Sequence, residues 1–192
     1  MSILDKVVAA VTPPESDEAR AEARAKAQSA ASAGDWLSMV LDHHRQIEDA
    51  FAAVKAATSA AVRVSAQKEL AVLLTGHSIA EEAVLYPALV AADEKAHATK
   101  AYTEQSAAKT QMGLLETIPP MTQDYLDIEH IRGAVAHHVY EEEGTWFLEL
   151  KEKVASAEQA RLSKRYEEEF SRYVGENSTK RPKALRSGTS LR

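Results

Sequence analysis

The chain has 192 residues, 45% of them hydrophobic, a formal net charge of −6 and no Cys, which is enough material for one buried core. The missing thiols exclude disulfides, zinc-thiolate sites, iron–sulfur clusters and thiol catalysis, so a bound metal must use nitrogen and oxygen donors, and the seven His residues become the ones to follow. Five basic residues and one acidic residue from Gly175 to Arg192 leave the rest of the chain strongly acidic, which argues against nucleic acid as a partner of the folded part.

The chain has no apolar run near the roughly 20 residues that span a bilayer and no signal-peptide pattern at its start. The expectation is a cytoplasmic protein that does not bind a membrane. Abundant Ala and scarce Gly and Pro favour helices over sheets.

Residues 1–34 read as an N-terminal arm. A short apolar stretch from Ile3 to Val11 meets Pro13-Pro14, and an Ala/Glu/Arg-rich segment follows to about Ala33. That segment is predicted to be helical. It has no large apolar residue to bury, so it is expected to be solvated, with docking on a partner as the alternative. Asp35 is a good helix cap, and a first core helix should run to about Ala57. Thr58-Ser59 offers a turn, and a second helix continues to about Pro87. Asp93 can cap a third, ending before Pro119-Pro120. Thr122 can cap a fourth that passes Gly144 with a kink. Residues 156–192 are expected to hold a charged helix (about Ala157 to Val174) outside the bundle, then a disordered basic tail that could meet a protein partner. The predicted fold class is all-α: an up-down-up-down four-helix bundle with an extra N-terminal arm and a C-terminal helix and tail.

The second helix carries His77-Ser-Ile-Ala-Glu81-Glu82-Ala-Val-Leu85-Tyr86, and the fourth carries His138-Val-Tyr-Glu-Glu142-Glu143-Gly-Thr-Trp146-Phe147. Both read His-x3-Glu-Glu-x2-apolar-aromatic. Residues four apart lie on one helical face, so each His can bind alongside its Glu. Leu70, Leu74 and Val84 share the first stripe, and Ile131, Val135 and Trp146 the second. Both pairs therefore face the core, where a carboxylate is costly unless paired or coordinated. Two such pairs can supply two imidazoles and two carboxylates able to bridge a pair of metal ions. On the first helix His44 shares the apolar face with Leu37, Val40, Leu41, Ile47 and Phe51 and is the better ligand; His43 lies nearer its edge as a supporting group. Glu82 and Glu143 fall on the next face and are expected to be solvated, so Glu143→Ala should leave metal content unchanged. His97 lies near a helix end, and His130 and His137 read as solvated or supporting groups.

These residues resemble the hemerythrin-like HHE cation-binding family, whose pattern is His, then His-x3-Glu, then His, then His-x3-Glu on four helices. The likeness covers residues 35–155. It implies a non-haem iron centre, with two Fe ions bridged by Glu81 and Glu142 and held further by His44, His77 and His138. The third helix departs from the pattern: where the family places His, this chain has Gln105, with Lys109 one turn on. Gln105 could bind metal or water through its carbonyl oxygen, or hydrogen-bond within the bundle. Tyr102 and Lys109 are further candidates around the ligands. With fewer imidazoles, one ion would keep open positions, or only one iron would be held. The resemblance implies binding of dioxygen or a related small ligand (nitric oxide, peroxide) for sensing, storage or stress protection. The alternatives are an iron- or peroxide-processing oxidoreductase, and a regulatory bundle with a degenerate metal site. No catalytic residue is assigned.

Overall fold

The computed structural model describes residues 15–122 and 128–175. The Ile3 to Val11 stretch, Pro13-Pro14, the segment 123–127 and the basic tail from 176 lie outside the described residues. Every secondary-structure element described is helical. Helix α1 (Asp17–Ala30) precedes α2 (Trp36–Ala56), whose cap Asp35 accepts the Ser38 N–H at 2.8 Å. Helix α3 (Ala60–Ala80) passes through a π turn (Glu81–Leu85) into α4 (Tyr86–Ala91). Helix α5 (Lys95–Leu115) returns, and α6 (Ile128–Glu141) passes through a second π turn (Glu142–Trp146) into α7 (Phe147–Lys153). Helix α8 (Ser156–Val174) closes the described chain. The rods α2, α3–α4, α5 and α6–α7 form the four-helix bundle, with α1 and α8 as extra N- and C-terminal helices.

Pro87 does not end its helix, because the π turn just before it has already reset the hydrogen-bond ladder; Pro87 is the second residue of α4, where a missing N–H is tolerated. Asp93 does not cap the next helix. It stands at φ 70° behind α4, and the Glu94 N–H reaches back to the Leu89 carbonyl at 2.8 Å, so Asp93 closes the helix before it. The expected kink at Gly144 is the second π turn.

Both flanking helices lie outside the four rods as expected, but α1 is packed where a solvated arm was expected. Helix α8 buries Leu162, Tyr166 and Phe170, one residue per turn on an otherwise charged helix, against α2 and α3. Helix α1 buries Ala23 and Ala27 and lies against the second π turn, where a Cβ on Gly144 would stand 3.4 Å from the Ala23 Cβ. Small residues let the two backbones approach, and that substitutes for the large apolar side chains that α1 lacks.

The core has two parts. Trp36, Leu37, Tyr86, Trp146, Phe147 and Leu150 belong to one cluster; Ile47, Phe51, Leu70, Leu74, Met112 and Ile131 belong to the other. Each bundle rod crosses from one cluster to the other at a polar residue. His44 lies between Leu41 and Ile47, His77 between Leu74 and Ala80, Gln105 between Ala101 and Met112, and Glu142 with His138 between Val135 and Trp146. A polar layer is thus enclosed by apolar packing on both sides. Among the described residues no helix is long and apolar enough to cross a membrane.

Candidate metal centre

The structure brings His44, His77, Glu81, His138 and Glu142 together in that layer, all of them buried. His77 Nε2 lies 3.2 Å from Glu81 Oε1, and His138 Nε2 lies 3.2 Å from Glu142 Oε1. His44 Nε2 stands between the two acids, 3.3 Å from Glu142 Oε2 and 3.9 Å from Glu81 Oε1. Four donor atoms, one each from His44, His77, Glu81 and Glu142, lie within 4.8 Å of one another. Three buried atoms of this group, His44 Nε2, Glu81 Oε1 and Glu142 Oε2, have no hydrogen-bond partner. An unpaired polar atom in a dry interior costs about 1–3 kcal/mol, so three turned toward one point are the signature of a position built for a cation. Two partly exposed groupings, Glu94-His97-Glu149 and Glu104-His137-Glu141, offer similar donors without that burial.

The far nitrogen of each imidazole is held by another group. His44 Nδ1 bonds Glu143 Oε1 at 2.8 Å, His77 Nδ1 bonds the Tyr166 hydroxyl at 3.0 Å, and His138 Nδ1 bonds Glu104 Oε2 at 2.8 Å. Such partners fix ring orientation and tautomer, leaving Nε2 to face the centre. Glu143 is therefore not solvated. It is buried, and Arg24 of α1 donates to it at 3.0 Å while also holding Glu48 at 2.7 Å. Glu82, by contrast, is partly exposed and pairs with Lys109 Nζ at 2.5 Å.

Of the other predicted groups, His43 bonds Tyr166 Oη at 2.9 Å and stacks on Phe170, beside the cluster and not within it. Lys109 is turned to Glu82. Tyr102 is largely exposed and donates to the Glu82 carbonyl at 2.8 Å. The aromatic hydroxyl at the centre belongs instead to Tyr86, whose Oη lies 2.9 Å from Glu142 Oε1, 3.3 Å from Glu81 Oε2 and 3.1 Å from His138 Nε2. Gln105 does face the centre, and through its amide nitrogen, which donates to Glu81 Oε2 and to Tyr86 Oη at 2.5 Å each. His97 stacks on Trp146, His137 bonds Glu15 at 2.6 Å, and His130 is exposed.

The model of the hemerythrin HHE cation-binding domain matches residues 36–150. The chain belongs to that family. Comparison with curated proteins and with solved structures found no match. The match spans all four rods of the bundle and leaves out α1 and α8, so Arg24 and Tyr166 are contributions to the hemerythrin layer from outside the matched domain.

Without a metal, this hemerythrin layer settles its charges with protons. Burial disfavours the His44 imidazolium, but the carboxylates of Glu142 and Glu143 beside it outweigh that and lift the group to about 9. At His138 burial is likewise outweighed, by the charge of Glu142 and the bond to Glu104, giving about 10. Glu142 is held well below the usual carboxylate range because His138 and His44 overcome its burial. Burial and then the charge of Glu142 push Glu81 well above that range, and burial with the nearby His44 pushes His77 well below its ordinary value. At neutral pH the protonated His44 and His138 stand where cations would.

Proposed function

We propose that this chain binds a pair of iron ions through His44, His77, Glu81, His138 and Glu142 and uses them to bind a small ligand such as dioxygen. The observation that carries the reading is the convergence of His44 Nε2, Glu81 Oε1 and Glu142 Oε2, all buried and all without partners. The donor set fits: imidazole and carboxylate suit iron, and thiolate is absent. Glu81 turns Oε1 toward His44 and His77 and Oε2 toward Tyr86, while Glu142 turns Oε2 toward His44 and Oε1 toward His138 and Tyr86, which supports two ions bridged by the two acids. A ferrous pair supplies electrons to dioxygen when bound. The protein's share is to hold the imidazoles by Glu143, Tyr166 and Glu104 and to exclude water with the two apolar clusters.

A cavity of about 20 Å³ reaches His77, Gln105 and His138 past Ile47, Leu74 and Val135. That volume holds about one water or a diatomic molecule, which favours dioxygen or nitric oxide over an organic substrate. The test is iron per chain by elemental analysis, with absorption spectra before and after exposure of the ferrous protein to air. Two irons and an air-dependent spectrum are expected; a chain purified and loaded with iron that retains none would end the reading. Turnover of peroxide or iron is a second reading, supported by the phenol of Tyr86 and the amide of Gln105, where imidazoles beyond the three of His44, His77 and His138 would make a plainer carrier. Steady gas evolution from added peroxide would select it.

A further inference from the structure

We infer that Tyr86 is itself a metal ligand, its Oη binding the second of the two ions, the one on the His138 side of the centre. The inference rests on the proposed iron pair and adds a donor to it.

The donors divide unevenly. One ion is provided for by His44 Nε2, His77 Nε2, Glu81 Oε1 and Glu142 Oε2. What remains for the other is Glu81 Oε2, Glu142 Oε1 and His138 Nε2, three atoms. Tyr86 Oη stands within 3.3 Å of each of them. A buried phenol needs one acceptor for its single O–H. Here two carboxylate oxygens and an imidazole nitrogen crowd the same oxygen, and Gln105 Nε2 donates to it at 2.5 Å. One hydrogen cannot serve both carboxylate oxygens, whereas a cation would meet them and, once its proton is displaced, the imidazole nitrogen as well. The amide donated by Gln105 then suits an oxygen that has become anionic.

The π turn explains the placement. Tyr86 is five residues beyond Glu81, and in an α-helix of 3.6 residues per turn it would be rotated about 140° away. The Glu81–Leu85 turn brings the two onto one face, close enough for the hydroxyl to reach its own Glu81. The ring is fully buried and meets Tyr102 edge-on at 5.0 Å, so the hydroxyl is held in place. On binding ferric iron the Fe–O bond forms, the O–H bond breaks, the proton passes to solvent, and no electron moves.

The test compares the full chain with Tyr86→Phe, Tyr102→Phe and Tyr166→Phe, each loaded with iron and oxidised in air. Wild type should show a visible tyrosinate-to-iron charge-transfer band whose excitation enhances phenolate ring modes in the Raman spectrum. Tyr86→Phe should lose the band and weaken the second iron by at least about tenfold, the lower end of what even an indirect partner of a metal contributes. Tyr102→Phe should keep the band at wild-type strength, and Tyr166→Phe, which loosens His77, should keep it on the iron that it retains. Iron-loaded wild type without the band, or a band that survives Tyr86→Phe, overturns the assignment while leaving the iron pair standing. Wild type without iron overturns both. The wild-type Raman spectrum decides alone whether any tyrosine binds metal, so a Phe variant that failed to fold would not protect the inference.

Discussion

Removing the carboxylate of Glu143 perturbs the centre without touching a donor atom. In Glu143→Ala the His44 Nδ1–H loses its acceptor at 2.8 Å inside a wholly buried ring, and Arg24 loses one of its two carboxylates. Orphaning a buried donor in a charged pair costs about 1.5–3 kcal/mol. Arg24 keeps Glu48 and is partly exposed, so it adds little to that. Loss of the partner that orients a metal-binding imidazole typically weakens the metal about 10–100-fold, which is about 1.4–2.7 kcal/mol. The two ranges agree. The assay is anaerobic competition for ferrous or manganous ion against a chelator, with thermal melting of the metal-free protein alongside. Glu143→Gln, which keeps an acceptor but not the charge, should fall between wild type and Ala. Glu82→Ala, which frees only the partly exposed Lys109 pair, should match wild type. A Glu143→Ala protein that binds within twofold of wild type would refute the reasoning and return Glu143 to the solvated face.

Glu81→Ala or Glu142→Ala should abolish the bridged pair, read as loss of one or both metal equivalents by elemental analysis. Tyr166→Phe removes the one oxygen shared by the Nδ1 atoms of His43 and His77, and the melting temperature should drop by the equivalent of about 1–3 kcal/mol. Metal binding should release protons, because His44 at about 9 and His138 at about 10 are protonated at neutral pH; affinity therefore falls as pH falls, and calorimetry in buffers of different ionisation enthalpy counts the protons. The metal-free protein has the opposite slope on the alkaline side. The His44 and His138 pairs stabilise it fully below the unfolded value near 6.5, and that stabilisation is lost as pH rises through about 9 and 10. A melting temperature unchanged from pH 7 to 10 would contradict those charges.

The bundle and the core of the site were legible because each depends on spacing alone. His44 sits among apolar residues at three, four and seven positions, and the His-x3-Glu repeat puts His77 with Glu81 and His138 with Glu142 on the face that carries Leu74 and Val135. Two features broke the reading. An α-helical count cannot foresee a π turn, so it passes over Tyr86 and offers Tyr102 as the aromatic candidate; it leaves Glu143 on the solvated face because the groups that cover it, Arg24 and His44, come from other helices. Docking by small residues leaves a faint trace: Ala23 and Ala27 are two among many alanines, and nothing local says that Arg24 will meet Glu143. The α8 stripe was readable, since Leu162, Tyr166 and Phe170 recur every four residues, but the surrounding charge obscured it. That Tyr166 would serve two histidines of other helices follows only from tertiary packing.

Each wide turn contains one residue beyond what an unbroken helix would need to cover the same rise. Deleting a single residue there, Ala83 for example, would let an unbroken α-helix cover the same rise, with the Tyr86 position then four residues beyond Glu81 and still on its face. The Pro87 ring, with no wide turn before it, would press into a regular ladder. The wide turn after Ala80 therefore serves the proline as well as the polar layer, and a one-residue deletion would be felt at Pro87 before it was felt at Tyr86.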